Sequence, residues 1–365
     1  MRSAIRGLPA ARFVLSEVTG VDLGGRAVRT EDGAVPYDFL ILAVGSTSYF
    51  FGIPGAAECA FPLKTLEDGI RLRNQILRCF ERAARAPEPR EGLLTFAIVG
   101  GGPTGVEFAG ALAELIRRPL RRDYPALDFG GVRIVLLESL SGLLPGLPGR
   151  LSAYALQRLT GMGVEVRLNA TVSGVSAHAV TLLDGTTIPT ETVVWTAGVR
   201  GVPLADRLGV PTGRGGRVPV SPTLQLSGYS DVYVVGDLAQ VEGQAPPLPM
   251  VAPVAIQQAT AAARNIGRQM AGTDPLPFRY KDPGTMVTIG RNAAVAHVRG
   301  QSVTGFPAWV LWLGVHLFNL VGFRNRILVM INWAWDYFLY ERAVRLILPS
   351  ADNMRGGESA RTGPS

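Results

Sequence analysis

Apolar and polar positions change rhythm along this chain, and the changes mark its parts. Residues 12 to 45 alternate as strands do: 12–15, then 27–30, a turn at Asp32-Gly33, and a longer run from Tyr37 that empties into Gly45. Residues 65 to 86 switch to helical spacing, with Thr65 as cap and Glu67 and Asp68 in the first turn; Pro87 and Pro89 end the helix. A second apolar run, Phe96 to Val99, passes straight into Gly100, Gly101, Gly102, Pro103, Thr104 and Gly105. A helical stripe of Val106, Phe108, Ala109, Leu112 and Leu115 follows at once. Further strands are predicted at 132–137, 164–168 and 192–196, a helix near 150 to 160, and a hairpin at Asp184-Gly185. Another buried strand, 231–235, ends at Gly236-Asp237, and an alanine-rich helix covers 254–270. From Phe306 the chain turns aromatic and apolar over 306–322 and 327–340. Residues 350–365 are glycine, serine and charge, and are expected to be disordered.

Strand, glycine turn and helix in immediate succession is an arrangement that holds a dinucleotide. Gly100 permits the tight turn, Gly102 lets backbone approach a pyrophosphate, Gly105 lets the helix pack close, and the helix start supplies N–H groups. Glu138 ends the next strand, where a carboxylate binds a ribose hydroxyl and disfavours a 2′-phosphate, so NADH is expected over NADPH. The spacing from Gly105 to Glu138 is long for this motif, which makes 117–131 an insertion.

Composition narrows the partners. The chain is 365 residues, 47% hydrophobic and 18% charged, which fits a globular protein of two domains with appendages. Its net charge of +7 is carried almost wholly by arginine, lysine occurring only at 64 and 281. The charge is dispersed and no nucleic-acid motif is present, so nucleic acid is not expected as a partner. Cys59 and Cys79 form no CxxC, which excludes a dithiol reductase, and no metal site can be built around them. The N-terminus has no secretory signal, so a cytosol-facing protein is expected.

The segments YDFLILAVGS, AFPLKTLEDGIRLRNQIL, FAIVGGGPTGVEFAGALAEL, TVVWTAGV, VYVVGDLA and GFRNRILVMINWAWDYFLYER together resemble the type II NADH dehydrogenases. These are single-chain NADH:quinone oxidoreductases that carry FAD and do not pump protons. The resemblance implies an α/β protein with two Rossmann-like dinucleotide-binding domains, the NADH-binding one inserted into the FAD-binding one, plus C-terminal amphipathic helices. The parts would be 1–90 (first part of the FAD domain), 93–200 (NADH), 201–300 (rest of the FAD domain), 301–349 (membrane association) and 350–365 (tail). By the same likeness Glu107 lies near the nicotinamide and isoalloxazine rings and Asp237, after Gly236, meets the flavin's polar linker. Gly45 and Gly198 mark the domain crossings, Gly45 on the FAD side and Gly198 on the NADH side. The family's AQxAxQ helix contributes to the quinone site; here its first Gln is replaced by Pro253, leaving Gln257 with Gln258. Members of the family begin with a first GxGxxG for FAD. This sequence starts later, so an exposed sheet edge and a truncated FAD domain are expected. The functional expectation is hydride transfer from NADH to FAD and electrons onward to a membrane quinone. The alternative is an NADH-binding or membrane-docking remnant without catalysis.

The C-terminal aromatic region admits three readings: a short transmembrane span, amphipathic helices lying in the interface, or a homodimer contact. Interfacial anchoring at the cytoplasmic face of the membrane is the favoured expectation. Trp309, Trp312, Trp333 and Trp335 suit head-group depth, and Arg324 and Arg326 suit an anionic lipid surface.

Overall fold

The computed structural model describes residues 7–86 and 90–319, together with 329 and 347. Two compact units share the chain. One takes residues up to 47 and 199–282; the other takes 48–198 and the residues from 283 onward.

The first unit is built on a five-stranded sheet. Its order runs Ala239–Val241, Val218–Val220, Gln225–Leu226, Tyr229–Val234 and Leu40–Leu42, the last pair parallel. Val232, Tyr233 and Val234 are fully buried. Leu40–Leu42 lies last in this order; its own Ile41 and the nearby Val44 are exposed. The expected strand at 12–15 does not form. Val14 and Leu15 are exposed there, and the antiparallel meander begins later, with Val18–Asp22, Ala27–Thr30 and Gly33–Pro36. The run from Tyr37 to Gly45 is likewise strand only over Leu40–Leu42. Helix Ala252–Met270 buries Val254, Gln258, Ala262 and Asn265, a single stripe at helical spacing.

The second unit holds a wholly parallel sheet, ordered Phe61–Pro62, Thr192–Trp195, Thr95–Val99, Arg133–Leu137 and Val164–Arg167. Thr95–Val99 is buried at every position, as a strand covered on both faces must be. Phe96 and Ile98 face a core shared with helices Leu66–Arg85, Pro103–Leu115 and Gly149–Gly161. Ala97 and Val99 face the other way, toward Val193, Trp195 and a three-stranded antiparallel layer over 172–189.

Helix Leu66–Arg85 therefore joins the second unit, although the proline boundary suggested grouping it with residues 1–90. Its Thr65 cap closes a reciprocal box with Asp68. It is held to the parallel sheet by Arg82, paired with Glu191, and by Gln75, which donates to the Glu191 carbonyl. The 117–131 insertion is ordered: a π turn, Ile116–Leu120, a short helix, Arg121–Asp123, and a 3₁₀ turn, Phe129–Gly131.

Residues 283–300, grouped by sequence with the rest of 201–300, also join the second unit, where with 301–304 they form an antiparallel sheet: Thr285–Thr288, Ala294–Val298 and Gln301–Thr304. Helix Pro103–Leu115 is fastened to it one turn after another. Glu107 accepts from Thr288, Gly110 lies against Gly290 and Glu114 accepts from the Arg291 N–H. The sheet is followed by helix Gly305–Asn319, whose Ala308 and Trp309 pack on Ala294 and Ala296.

Phe80 is fully buried with its ring 6.0 Å from Phe96, 5.7 Å from Tyr124 and 5.8 Å from Phe129. Phe80→Ala empties the centre of this cluster. It is expected to cost about 3–5 kcal/mol in denaturant unfolding of the second unit, with Phe80→Leu costing clearly less; equal losses would refute the packing account.

Candidate functional site

The glycine turn has the geometry its spacing predicts. Gly100 sits at φ +109°, in the region that favours glycine. A Cβ on Gly105 would stand 1.8 Å from the Gly100 carbonyl oxygen, so no other residue fits without moving backbone. Gly102 caps helix Pro103–Leu115 in extended conformation and has nothing within 4 Å of where its Cβ would be. The helix thus begins at an open face, with first-turn N–H groups that have no partner within the helix. A pyrophosphate fits there.

Glu138 is 6% exposed and braces this turn from the next strand. Its carboxylate accepts from Gly101 N at 2.6 Å, Leu140 N at 2.8 Å and Ser139 Oγ at 3.1 Å. Two carboxylate oxygens have about four acceptor positions, so one remains for a ligand hydroxyl. Gly198, at φ +72°, closes the sheet's last strand; a side chain there would collide with the Phe51 ring.

Glu107 lies on the same helix, half-buried, accepting from Thr288 N at 3.2 Å and Thr288 Oγ1 at 3.4 Å. Burial pushes its carboxyl above the ordinary 4.5; the Thr288 hydrogen bonds and the charge of His316 oppose the shift. No local pattern around His316 signals that it comes within electrostatic reach of this carboxylate. His316 is exposed, stacks on Trp312 at 4.0 Å and meets the Trp312 carbonyl through Nδ1.

In the first unit, the parallel strands Leu40–Leu42 and Tyr229–Val234 lead into Gly45 (φ +73°) and Gly236 (φ +74°). Asp237 accepts from Ser46 Oγ at 2.5 Å, which ties the two strand ends together. Gln258 is fully buried; its Oε1 accepts from Gly236 N at 2.7 Å, while its Nε2 is buried with no partner among the described residues. An unsatisfied amide beside an open glycine loop suits a cofactor with acceptor atoms. Arg217, which sequence reasoning missed, is buried beside this loop, donating to the carbonyls of Ala239 and Leu248. Burial lowers its pKa, and the nearby Asp237 opposes that.

Gln257, expected with Gln258 at a quinone site, has both ends of its amide taken by the Lys281 backbone, at 2.8 and 3.0 Å. Trp309 and Trp312 are half-buried. The open apolar face of helix Gly305–Asn319 is carried instead by Phe306, Val310, Leu311 and Phe318. Trp333, Trp335, Arg324 and Arg326 lie outside the described residues. No helix among the described residues is long and apolar enough to cross a membrane. Cys79 is buried and Cys59 half-buried, both free thiols.

A glycine turn opening a helix in one unit and paired strands ending in glycine in the other suit a pyridine-nucleotide flavoprotein, and the family described as pyridine nucleotide-disulphide oxidoreductase matches residues 6–259. A second family, the NDH2 C-terminal domain, matches residues 283–342. The chain is 40% identical over 358 residues to the type II NADH:quinone oxidoreductase Ndh of Mycobacterium tuberculosis, covering 93% of this chain and 76% of that protein. It is 31% identical to the type II NADH:quinone oxidoreductase of Staphylococcus haemolyticus, over 81% of this chain and 74% of the other. The fold matches NDH2 from Plasmodium falciparum in complex with NADH, with TM-score 0.83 and 18% identity over 92% of this chain and 85% of that one. The chain belongs to the type II NADH:quinone oxidoreductases.

A carboxyl with a raised pKa keeps its proton in the folded chain where the unfolded chain has released it. Its stabilising contribution is thus present below 4.5 and lost as pH rises through the folded pKa. Glu107→Gln is therefore expected to match the wild type in melting temperature at about pH 4 and to exceed it at about pH 7. A pH-independent difference would refute the burial account.

Proposed function

We propose that this chain oxidises NADH and reduces a membrane quinone through bound FAD. The open Gly102 face with Glu138 locked beside it carries the reading. Helix Pro103–Leu115 takes the NADH pyrophosphate on its first N–H groups, and Glu138 takes an adenosine ribose hydroxyl with its remaining acceptor position. The same carboxylate repels a 2′-phosphate, which makes NADH the donor. Gly45, Gly236 and Asp237 hold the FAD on the first unit's side, and Gln258 Nε2 donates to it. When bound, FAD supplies the capacity to accept a hydride and to pass two electrons to quinone. Glu107, its carboxyl shifted upward by burial and restrained by Thr288, supplies a proton-handling group on the NADH-binding side. Gln257 serves the quinone side indirectly, by fixing residue 281 against helix Ala252–Met270.

The chain docks peripherally at the cytoplasmic face of the membrane. Phe306, Val310, Leu311 and Phe318 enter the interface and the arginines of the C-terminal region meet anionic lipid, an arrangement compatible with a homodimer.

Purified protein given FAD is expected to show a flavin band that bleaches when NADH is added without oxygen, and only weakly with NADPH. Glu138→Ala should raise the NADH KM about tenfold, with kcat much less affected. A chain that binds NADH but retains no flavin would leave the non-catalytic reading standing. Vesicles containing anionic lipid should sediment the protein, and Phe318→Glu should weaken this at least severalfold; unchanged sedimentation would remove helix Gly305–Asn319 from the docking surface.

A further inference from the structure

At the end of helix Pro103–Leu115 farthest from the glycine turn, a cavity of about 450 Å³ opens between three pieces of chain. The π turn Ile116–Leu120 contributes Arg117 and Arg118, helix Gly149–Gly161 contributes Arg158, and the loop after Thr285–Thr288 contributes Arg291 and Asn292. Four arginines and one carboxylate, Glu114, thus line the cavity, and Glu114 already accepts the Arg291 N–H. The two helix C-termini at this end offset roughly half a charge each, so the cavity stays strongly positive. None of these arginines has a part in the dinucleotide sites.

Arg158 supplies the second observation. Its Nη2 donates to the Arg291 carbonyl at 3.2 Å, which fixes the guanidinium in place, while its Nε is buried with no partner among the described residues. A guanidinium fixed in this way, with one N–H still unsatisfied among the described residues, stands at the wall of an arginine-lined cavity, and a phosphate oxygen meets guanidinium geometry best. Leu115 and Met162 form an apolar part of the wall, suited to the carbon portion of a ligand that a bare inorganic ion lacks. The π turn itself, with Pro119 inside it, is a departure from regular helix of the kind that recurs at binding sites.

We propose that this cavity is a second ligand site, which binds the phosphate or pyrophosphate group of an anion from solution. The anion ties the π turn, helix Gly149–Gly161 and the 289–293 loop together. Through Glu114 and Glu107 the occupied cavity stiffens the same helix that starts at the glycine turn.

The test is calorimetric titration of the holoenzyme with inorganic pyrophosphate, in chloride buffer with saturating NAD⁺ so that the glycine turn is already filled. One saturable site is expected. Arg158→Gln, and separately the exposed Arg117→Ala, should each weaken it by at least about tenfold with the NADH KM unchanged. Arg117→Ala keeps the test valid if Arg158→Gln fails to fold. No saturable binding, or equal affinity in wild type and Arg117→Ala, overturns the proposal. So does a loss of binding to anionic phospholipid vesicles in the variants without any pyrophosphate binding, which would assign the arginines to lipid head groups.

Discussion

The contact on which the second unit depends is the approach of helix Pro103–Leu115 to the strand before it. With 1.8 Å between the Gly100 carbonyl oxygen and the place a Cβ on Gly105 would occupy, helix and strand are as close as backbones come. That closeness turns the helix start toward an empty face and leaves its N–H groups for a ligand. Glu138 depends on it too, because its carboxylate reaches Gly101 N only when the turn is this tight. Binding here is a property of backbone; side chains serve mainly to hold the backbone still.

The first unit solves a similar problem differently. Gly45 and Gly236 are left-handed residues after adjacent parallel strands, tied across by Ser46 and Asp237. Behind them stand a buried glutamine whose amide nitrogen has no partner among the described residues and a buried arginine that donates to two carbonyls. Desolvating such groups is costly, so they are worth keeping only where a ligand or a fixed loop repays them.

Much of this was legible in the sequence. The strand, glycine turn and helix at 95–115, the strand ending in Glu138, the Gly236-Asp237 turn and the Thr65 cap are local features, set by residues a few places apart. The missed elements are those that local pattern cannot carry. The two-residue strand Phe61–Pro62 has no period to detect, yet its pairing with Thr192–Trp195 helps to draw residues from 48 onward into the second unit. The predicted strand at 12–15 has the right alternation but joins no sheet among the described residues. Thr288, Arg217 and His316 matter through partners that are distant in sequence, and two equivalent-looking glutamines, 257 and 258, differ only in which side of the helix is buried.

Glu107, Gly110 and Glu114 recur at intervals of three and four, so one flank of a single helix is buttoned along its length to the segment 288–291. The sheet containing that segment leads without a break into the apolar helix Gly305–Asn319. Helix, sheet and apolar helix thus form one continuously packed body, to which the Glu107 carboxylate and the exposed Phe306 and Phe318 both belong.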